Sequence, residues 1–368
     1  MIYLKKGQID FYFLITVFAL LAFGLIMVMS ASSESARNAA YTGGDAYYFI
    51  KRQLLWAVIS IIAMFFFSKF DYHKLVEWSG IIIIVTFVLL LFVLVAGTEV
   101  NGGQRWLRLG PVQFQPSEVA KVALILYLAG SISKNKKYID TFSRGLVPNL
   151  IVIGITAALL IIQPHFSATV LIVSVGIIML FVGGVNWKHL VLLAAPVVSV
   201  AAIFVMTSDY RRARVLSFLD PFADPLGDGY QVIQSLYAIG SGGLFGLGLG
   251  QSRQKFLYIP EPQNDFIFSI WCEEFGFVGA FIVIMLFAFL VYRGIKIAMC
   301  ACDKQGSLIA IGIITLVALQ VIMNIAVVTS AMPVTGMPLP FFSYGGTALL
   351  IIMSCMGIML NISKQSSK

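Results

Sequence analysis

The chain alternates long apolar stretches with short polar connections. An α-helix needs roughly 20 mainly apolar residues to cross a bilayer. Ten stretches approach that length: Phe11–Ser30, Ile50–Phe67, Ser79–Ala96, Glu118–Ile132, Leu146–Ile162, Ala168–Val185, His189–Met206, Phe266–Tyr292, Ser307–Thr329 and Gly346–Leu360. The first has no small-residue cleavage site and runs on into Ser30–Ser35, so it reads as a retained span. Within the polar stretch Ser208–Asn264, Gln231–Ile239 places apolar residues at helical spacing, which predicts a helix lying on the membrane surface.

Composition agrees with lipid as the main solvent. Of 368 residues 59% are hydrophobic and 11% charged, against about 45–50% and about 25% in soluble domains. That excludes a soluble fold, a disordered chain and a disulfide scaffold. The net charge of +8 reads first as topology. With the N-terminus inside, fourteen of the 25 Lys and Arg fall in inner connections and five (Arg37, Lys51, Arg52, Arg105, Arg108) in short outer ones. The expected fold is a single all-α polytopic membrane domain over 1–368. It has about ten transmembrane helices, both termini cytoplasmic and one long extracytoplasmic loop, about 208–264, between the seventh and eighth. No nucleic-acid partner is expected. Three scattered histidines give no zinc spacing, and no cysteine falls in an outer loop.

The outer connections carry the polar information. Asp265 stands just before the eighth span, as a helix N-cap or as an acid at the water boundary. Glu118 and Lys121 are three apart on one helix face and can pair, either to neutralise the span or to line a polar cavity. Glu273 and Glu274 sit roughly 12–13 Å along the helix from Asp265 and need a protein partner or a wet cleft. The run Gly240–Gly250 holds six glycines in eleven residues. It reads as a re-entrant connection or as a backbone cradle for phosphate. Arg253 and Lys255 follow it, and the cluster Arg211–Arg214 lies earlier in the same loop. Ser343 lies in a Pro/Gly turn before the last span.

Together these segments resemble the SEDS family (shape, elongation, division and sporulation), which includes FtsW, RodA and SpoVE. The resemblance spans nearly the whole chain. It rests on Gly103-Gln-Arg-Trp with Gln115-Pro-Ser-Glu-Val-Ala-Lys121, Asp224-Pro-Leu-Gly, Gly246-Leu-Gly-Leu-Gly-Gln-Ser-Arg-Gln-Lys255, Pro260-Glu-Pro-Gln-Asn-Asp-Phe-Ile-Phe268, and Pro333-Val-Thr-Gly with Pro340-Phe-Phe-Ser-Tyr-Gly-Gly346. It is nearest the division and sporulation branch. The resemblance implies a ten-span peptidoglycan glycosyltransferase of the bacterial cytoplasmic membrane, at the division or sporulation septum. Such an enzyme polymerises lipid II at the outer face and works with a class B penicillin-binding protein and other divisome or sporulation membrane proteins. The family's essential acid falls on Asp265 and its polar cavity residues on Glu118 and Lys121. Two departures stand out. Gln163-Pro-His165 replaces a Gln-Pro-Asp, and Ser330 follows Thr329 where the family often has Gly.

The expected chemistry is attack of an acceptor sugar hydroxyl on the anomeric carbon of the growing strand, with Asp265 as general base. Arg105, Arg212, Arg253 and Lys255 are the candidate cations for the leaving pyrophosphate, Glu118, Lys121 and Ser343 the other binding residues, and Mg or Mn a candidate to share the task. Two alternatives are a lipid II flippase and a non-enzymatic scaffold for a transpeptidase.

Overall fold

The computed structural model describes residues 7–39, 42–100, 103–110, 112–192, 218–227, 229–256 and 258–366. Most of the expected seventh span and Arg212 lie outside the described residues. The helices are α1 (Phe11–Asn38), α2 (Tyr48–Lys69), α3 (Tyr72–Glu77), α4 (Ser79–Ala96), α5 (Pro116–Lys134), α6 (Val147–Ile162), α7 (Phe166–Gly183), α8 (Tyr230–Ser241), α9 (Ile267–Met299), α10 (Lys304–Val328) and α11 (Gly346–Lys364). Among the described residues, eight helices are long and apolar enough to cross a membrane, counting Phe142–Leu146 with α6. The chain is a multi-pass, mostly helical membrane protein. α5 runs among the eight, although its first turns are polar.

The all-helical reading missed one sheet. Between α4 and α5 the chain forms an antiparallel meander of β1 (Thr98–Val100), β2 (Gly103–Leu109) and β3 (Val112–Phe114). β2 alternates as a half-buried strand must, with Leu107 buried and Arg108 exposed. Gly110, at φ 62°, opens the turn to β3.

At one end of the bundle, buried polar groups tie helix termini together. Asp10 caps α1, accepts from Arg293 of α9 (Nη2 at 2.5 Å, Nε at 3.1 Å), and donates its backbone N–H to Ser363 of α11. Asn361 of α11 donates to Ser68 O of α2. Asp303, at the start of α10, meets His73 and Tyr72 of α3. α11 lies tight on α2, and a Cβ at Gly357 would come within 2.3 Å of Met64 O. Such small-residue contacts are the usual way helices close up in lipid, where no hydrophobic force pulls them together.

α9 is two helices joined at a kink, with Gly276 at φ 64° and ψ −163°. An uninterrupted helix would bond Phe277 N to Glu273 O and Val278 N to Glu274 O. Here Phe277 N donates to Gly243 O and Val278 N to Leu244 O, while Glu273 O and Glu274 O accept from Leu247 N and Gly248 N. The glycine run therefore repairs the break in α9. It needs glycine to do so, since a Cβ at Gly246 (φ 81°) would sit 2.2 Å from Glu274 O.

The two buried glutamates hold this loop. Glu273 accepts from the backbone N–H groups of Arg253 (2.9 Å) and Gln254 (3.3 Å) and from the hydroxyls of Ser252 and Ser241. Glu274 accepts from Ser30 Oγ (2.6 Å), Ser252 N (3.4 Å) and Lys255 Nζ (3.2 Å). Within the glycine run the amides of Leu247 and Gly248 are thus engaged within the fold and do not face a phosphate. One expected substrate cation, Lys255, is corrected with it. Lys255 is buried, its ammonium held by Glu274, Ser30 and Gly250 O. Arg253 has its backbone tied to Glu273 while its side chain is exposed.

The helix expected over Gln231–Ile239 is present as α8. It does not merely lie on a surface. Val232, Ile233, Ser235 and Ala238 are buried, and Ser235 Oγ contacts Ser269 Oγ of α9 and donates to Val328 O of α10.

Candidate functional site

The opposite end of the bundle encloses a cavity of about 1530 Å³. It exceeds the ~300–1,000 Å³ of ordinary small-molecule pockets. Its walls come from the starts of α2, α5, α7 and α11, the end of α10, β2, and the segments Pro260–Phe266 and Met332–Tyr344. Of the residues proposed from sequence, Asp265, Glu118, Lys121, Arg105 and Ser343 all line it. Arg253 and Lys255 do not.

Pro116 starts α5, and Glu118 and Lys121 lie on its inward face. Both are buried, and Lys121 Nζ donates to Glu118 Oε1 at 2.7 Å. This is the neutralised pair expected in a span, and it also faces the cavity. Arg105 reaches from β2 to donate from Nη2 to Pro164 O at 2.6 Å, joining the sheet to the turn between α6 and α7. Burial, then the charges of Arg105 and Lys121, push the His165 imidazole in that turn down to about 3.

Asp265 is not the cap of α9. Phe266 holds that position and no side chain caps the helix. Instead the Asp265 carbonyl accepts from Asn324 Nδ2 at 2.7 Å, and the same amide nitrogen donates to Met337 O at 2.8 Å. One buried asparagine of α10 thus ties both cavity segments together. Gly336, at φ 65°, lies so close that a Cβ there would be 3.3 Å from Asp265 Oδ2. Ser343 closes its own turn, its Oγ accepting from Leu339 N at 2.8 Å. Tyr344 N then donates to Gln263 O at 2.9 Å, linking that turn to the Asp265 segment.

Several lining residues went unassigned in the sequence. Arg52 and Arg108 had been counted only as topology signals. Arg52 lies 4.3 Å over the Tyr48 ring, and both residues line the cavity. Gln320, which lines the cavity, and Asn324, which ties its segments together, are amides four apart in an otherwise apolar span. Polar groups at that depth are expensive and mark interior sites, which was the available signal.

The whole chain from residue 11 to 368 matches the family described as cell cycle protein, FtsW/RodA/SpoVE. The chain belongs to that family. It is 45% identical over 364 residues to stage V sporulation protein E of Bacillus subtilis, covering 98% of this chain and 99% of the relative. It is 41% identical over 361 residues to a probable peptidoglycan glycosyltransferase FtsW of Trichlorobacter lovleyi, covering 98% and 94%. Among solved structures it is similar to a chain from a peptidoglycan synthase complex that coordinates polymerization and crosslinking. The TM-score is 0.79 at 30% identity, over 96% of this chain and 97% of that one. It is also similar to the rod shape determining protein RodA of Thermus thermophilus, with a TM-score of 0.72 at 25% identity over 98% of each chain. These relatives match nearly the whole of this chain, and the two solved chains share its bundle.

Proposed function

We propose that this protein is a peptidoglycan glycosyltransferase that polymerises lipid II, with Asp265 as general base, at the outer face of the bacterial cytoplasmic membrane. The observation that carries the reading is the cavity that brings Asp265 together with the Glu118–Lys121 pair and Arg105, in a chain of this family. The acceptor sugar's 4-hydroxyl attacks the anomeric carbon of the lipid-linked strand. The new oxygen–carbon bond forms as the bond to the diphosphate breaks. The hydroxyl proton passes to the Asp265 carboxylate, and the bonding pair leaves with the diphosphate. Lining cations Arg52, Arg105 and Arg108 replace Arg253 and Lys255 as the groups that meet that charge. A bundle immersed in lipid suits a substrate whose tail is a polyprenyl chain, since each buried CH₂ contributes about 0.8 kcal/mol.

A dedicated divalent site does not fit these side chains. Glu118 is engaged with Lys121, and no group of three His, Cys, Asp or Glu side chains gathers among the described residues. No step here runs through a metal. A Mg²⁺ or Mn²⁺ requirement would then belong to the substrate's own phosphates and is read by titrating the ion into EDTA-treated enzyme. The similar chain in a synthase complex supports a crosslinking partner, expected to be a class B penicillin-binding protein at the division or sporulation septum.

The test is Asp265→Asn in the purified protein. Loss of the base lowers lipid II polymerisation by roughly 10²–10⁴-fold, with unchanged elution from a sizing column. A well-folded Asp265→Asn protein that polymerises at the wild-type rate removes Asp265 from the chemistry.

A further inference from the structure

The turn between α6 and α7 presents a histidine that the mechanism above leaves unused. Three hydrogen bonds fix it. Gln163 Nε2 donates to Leu90 O of α4 at 2.7 Å, Arg105 Nη2 of β2 donates to Pro164 O at 2.6 Å, and His165 N donates to Leu160 O at 2.9 Å. The imidazole held there is 8% exposed and lines the cavity. Among the described residues its Nδ1 has no hydrogen-bond partner. Buried polar atoms in native proteins are almost always bonded, so a buried orphan nitrogen on a residue that lines the cavity calls for a partner.

The charged groups around the cavity come from four of its walls: Arg52 from α2, Arg105 and Arg108 from β2, Glu118 and Lys121 from α5, Glu261 and Asp265 from the segment before α9. Cations outnumber acids four to three, and Glu118 is engaged with Lys121. Burial and the nearby cations Arg105 and Lys121 keep the His165 ring neutral while the cavity lacks an added anion. A polyanion entering among those cations reverses the field at the ring. Opposite charge at close range favours imidazolium, which donates from both nitrogens.

We propose that His165 binds the diphosphate of the lipid-linked donor as an imidazolium, taking up one proton from solvent as the diphosphate enters the cavity. The proposal rests on the glycosyltransferase reading above. No covalent bond changes. The proton moves from water to the ring and returns when the diphosphate leaves. The extra cation therefore exists only while there is an anion to pair with it, and a fifth permanent cation is not left buried beside the four that line the cavity. His165 is a binding residue here and takes no part in the transfer to the acceptor.

The test uses the full chain in detergent with farnesyl diphosphate, a water-soluble polyprenyl diphosphate, as probe. The chain has three histidines, so ¹⁵N-histidine spectra are simple, and His165→Gln assigns the relevant signals. The expected result in wild type, at about pH 7 where a free imidazole is mostly neutral, is a shift of the His165 nitrogens from the neutral to the imidazolium pattern on saturation. Calorimetry in two buffers of different ionisation enthalpy then gives proton uptake. The diphosphate itself titrates, so the readout is the difference between wild type and His165→Gln, expected to be about one proton per bound probe. His165→Asn serves as a second variant should the first elute abnormally. A saturated wild type whose His165 stays neutral, or equal proton uptake in wild type and variants, overturns the proposal. A wild type that polymerises lipid II without binding farnesyl diphosphate also overturns it and leaves the glycosyltransferase reading intact. A wild type that does neither overturns both.

Discussion

Lys255 and Glu274 allow a sharp test of which cations belong to the fold and which to the substrate. Lys255 Nζ lies 3.2 Å from Glu274 Oε1, 3.3 Å from Ser30 Oγ and 2.6 Å from Gly250 O, and the two side chains are 4% and 0% exposed. Lys255→Met keeps the stem and removes the charge. Glu274 then retains Ser30 Oγ and Ser252 N as donors but loses its cation. Breaking a buried pair on one side costs about 3–5 kcal/mol, a large part of a total stability near 5–15 kcal/mol. Glu274→Gln added to it leaves two neutral side chains of similar shape, a replacement that is often close to neutral. The double variant is therefore expected to recover at least about 2 kcal/mol of the loss, visible as non-additivity in a double-mutant cycle. Stability is read from denaturant unfolding in detergent, followed by tryptophan fluorescence, and lipid II polymerisation is measured on the same preparations. The expected pattern is an unstable Lys255→Met and a stable, active double variant. A well-folded double variant without activity, or a Lys255→Met protein as stable as wild type but inactive, would place the lysine on the substrate and refute the structural role.

Other outcomes follow from particular contacts. Gly246→Ala forces φ 81° on an alanine and drives its Cβ toward Glu274 O. The dihedral alone costs about 1–2 kcal/mol, so the denaturation midpoint falls clearly, whereas Gly240→Ala, with open space at its Cβ, changes it little. Ser330 sits at φ 56°, so Ser330→Gly should raise stability by up to ~1 kcal/mol; a drop in the midpoint would contradict the left-handed assignment. His73 lies between Asp71 (2.7 Å) and Asp303 (2.5 Å). Burial opposes its charge, but the hydrogen bonds to Asp71 and Asp303 prevail and raise it above the usual 6.5. A raised histidine stabilises fully below about 6.5 and loses that as pH climbs through the folded value, while the lowered Asp71 and Asp303 lose theirs only as pH falls below about 3.8. The stability gap between wild type and His73→Ala is therefore widest near pH 5–6 and shrinks by about pH 9, staying under ~1 kcal/mol because the pair is partly exposed.

The spans were legible because lipid demands long apolar runs. Ser79–Ala96 was read to the residue, and α2, α6, α7 and α10 to within a few. The meander was not, because strands of three to seven residues carry little periodic signal beside helices of twenty. The pairing of Glu118 with Lys121 follows from their spacing. The setting of Asp265 does not, since its positioning amide, Asn324, lies 59 residues away. Lys255 misled for the opposite reason. A lysine after a glycine run looks like an anion site, and only its burial against Glu274, nineteen residues on, reveals a structural charge.

The repaired kink in α9 bears on how the protein is made. A helix whose hydrogen bonds lapse at Gly276 would leave bare carbonyls and amides in hydrocarbon if it entered the bilayer by itself. Those groups are met by Gly243, Leu244, Leu247 and Gly248, all synthesised just before α9. The kink in α9 is therefore satisfied only once the loop 242–250 is seated against it. Separating the two by a long insertion near Tyr258 would then hinder biogenesis even where it leaves the cavity untouched.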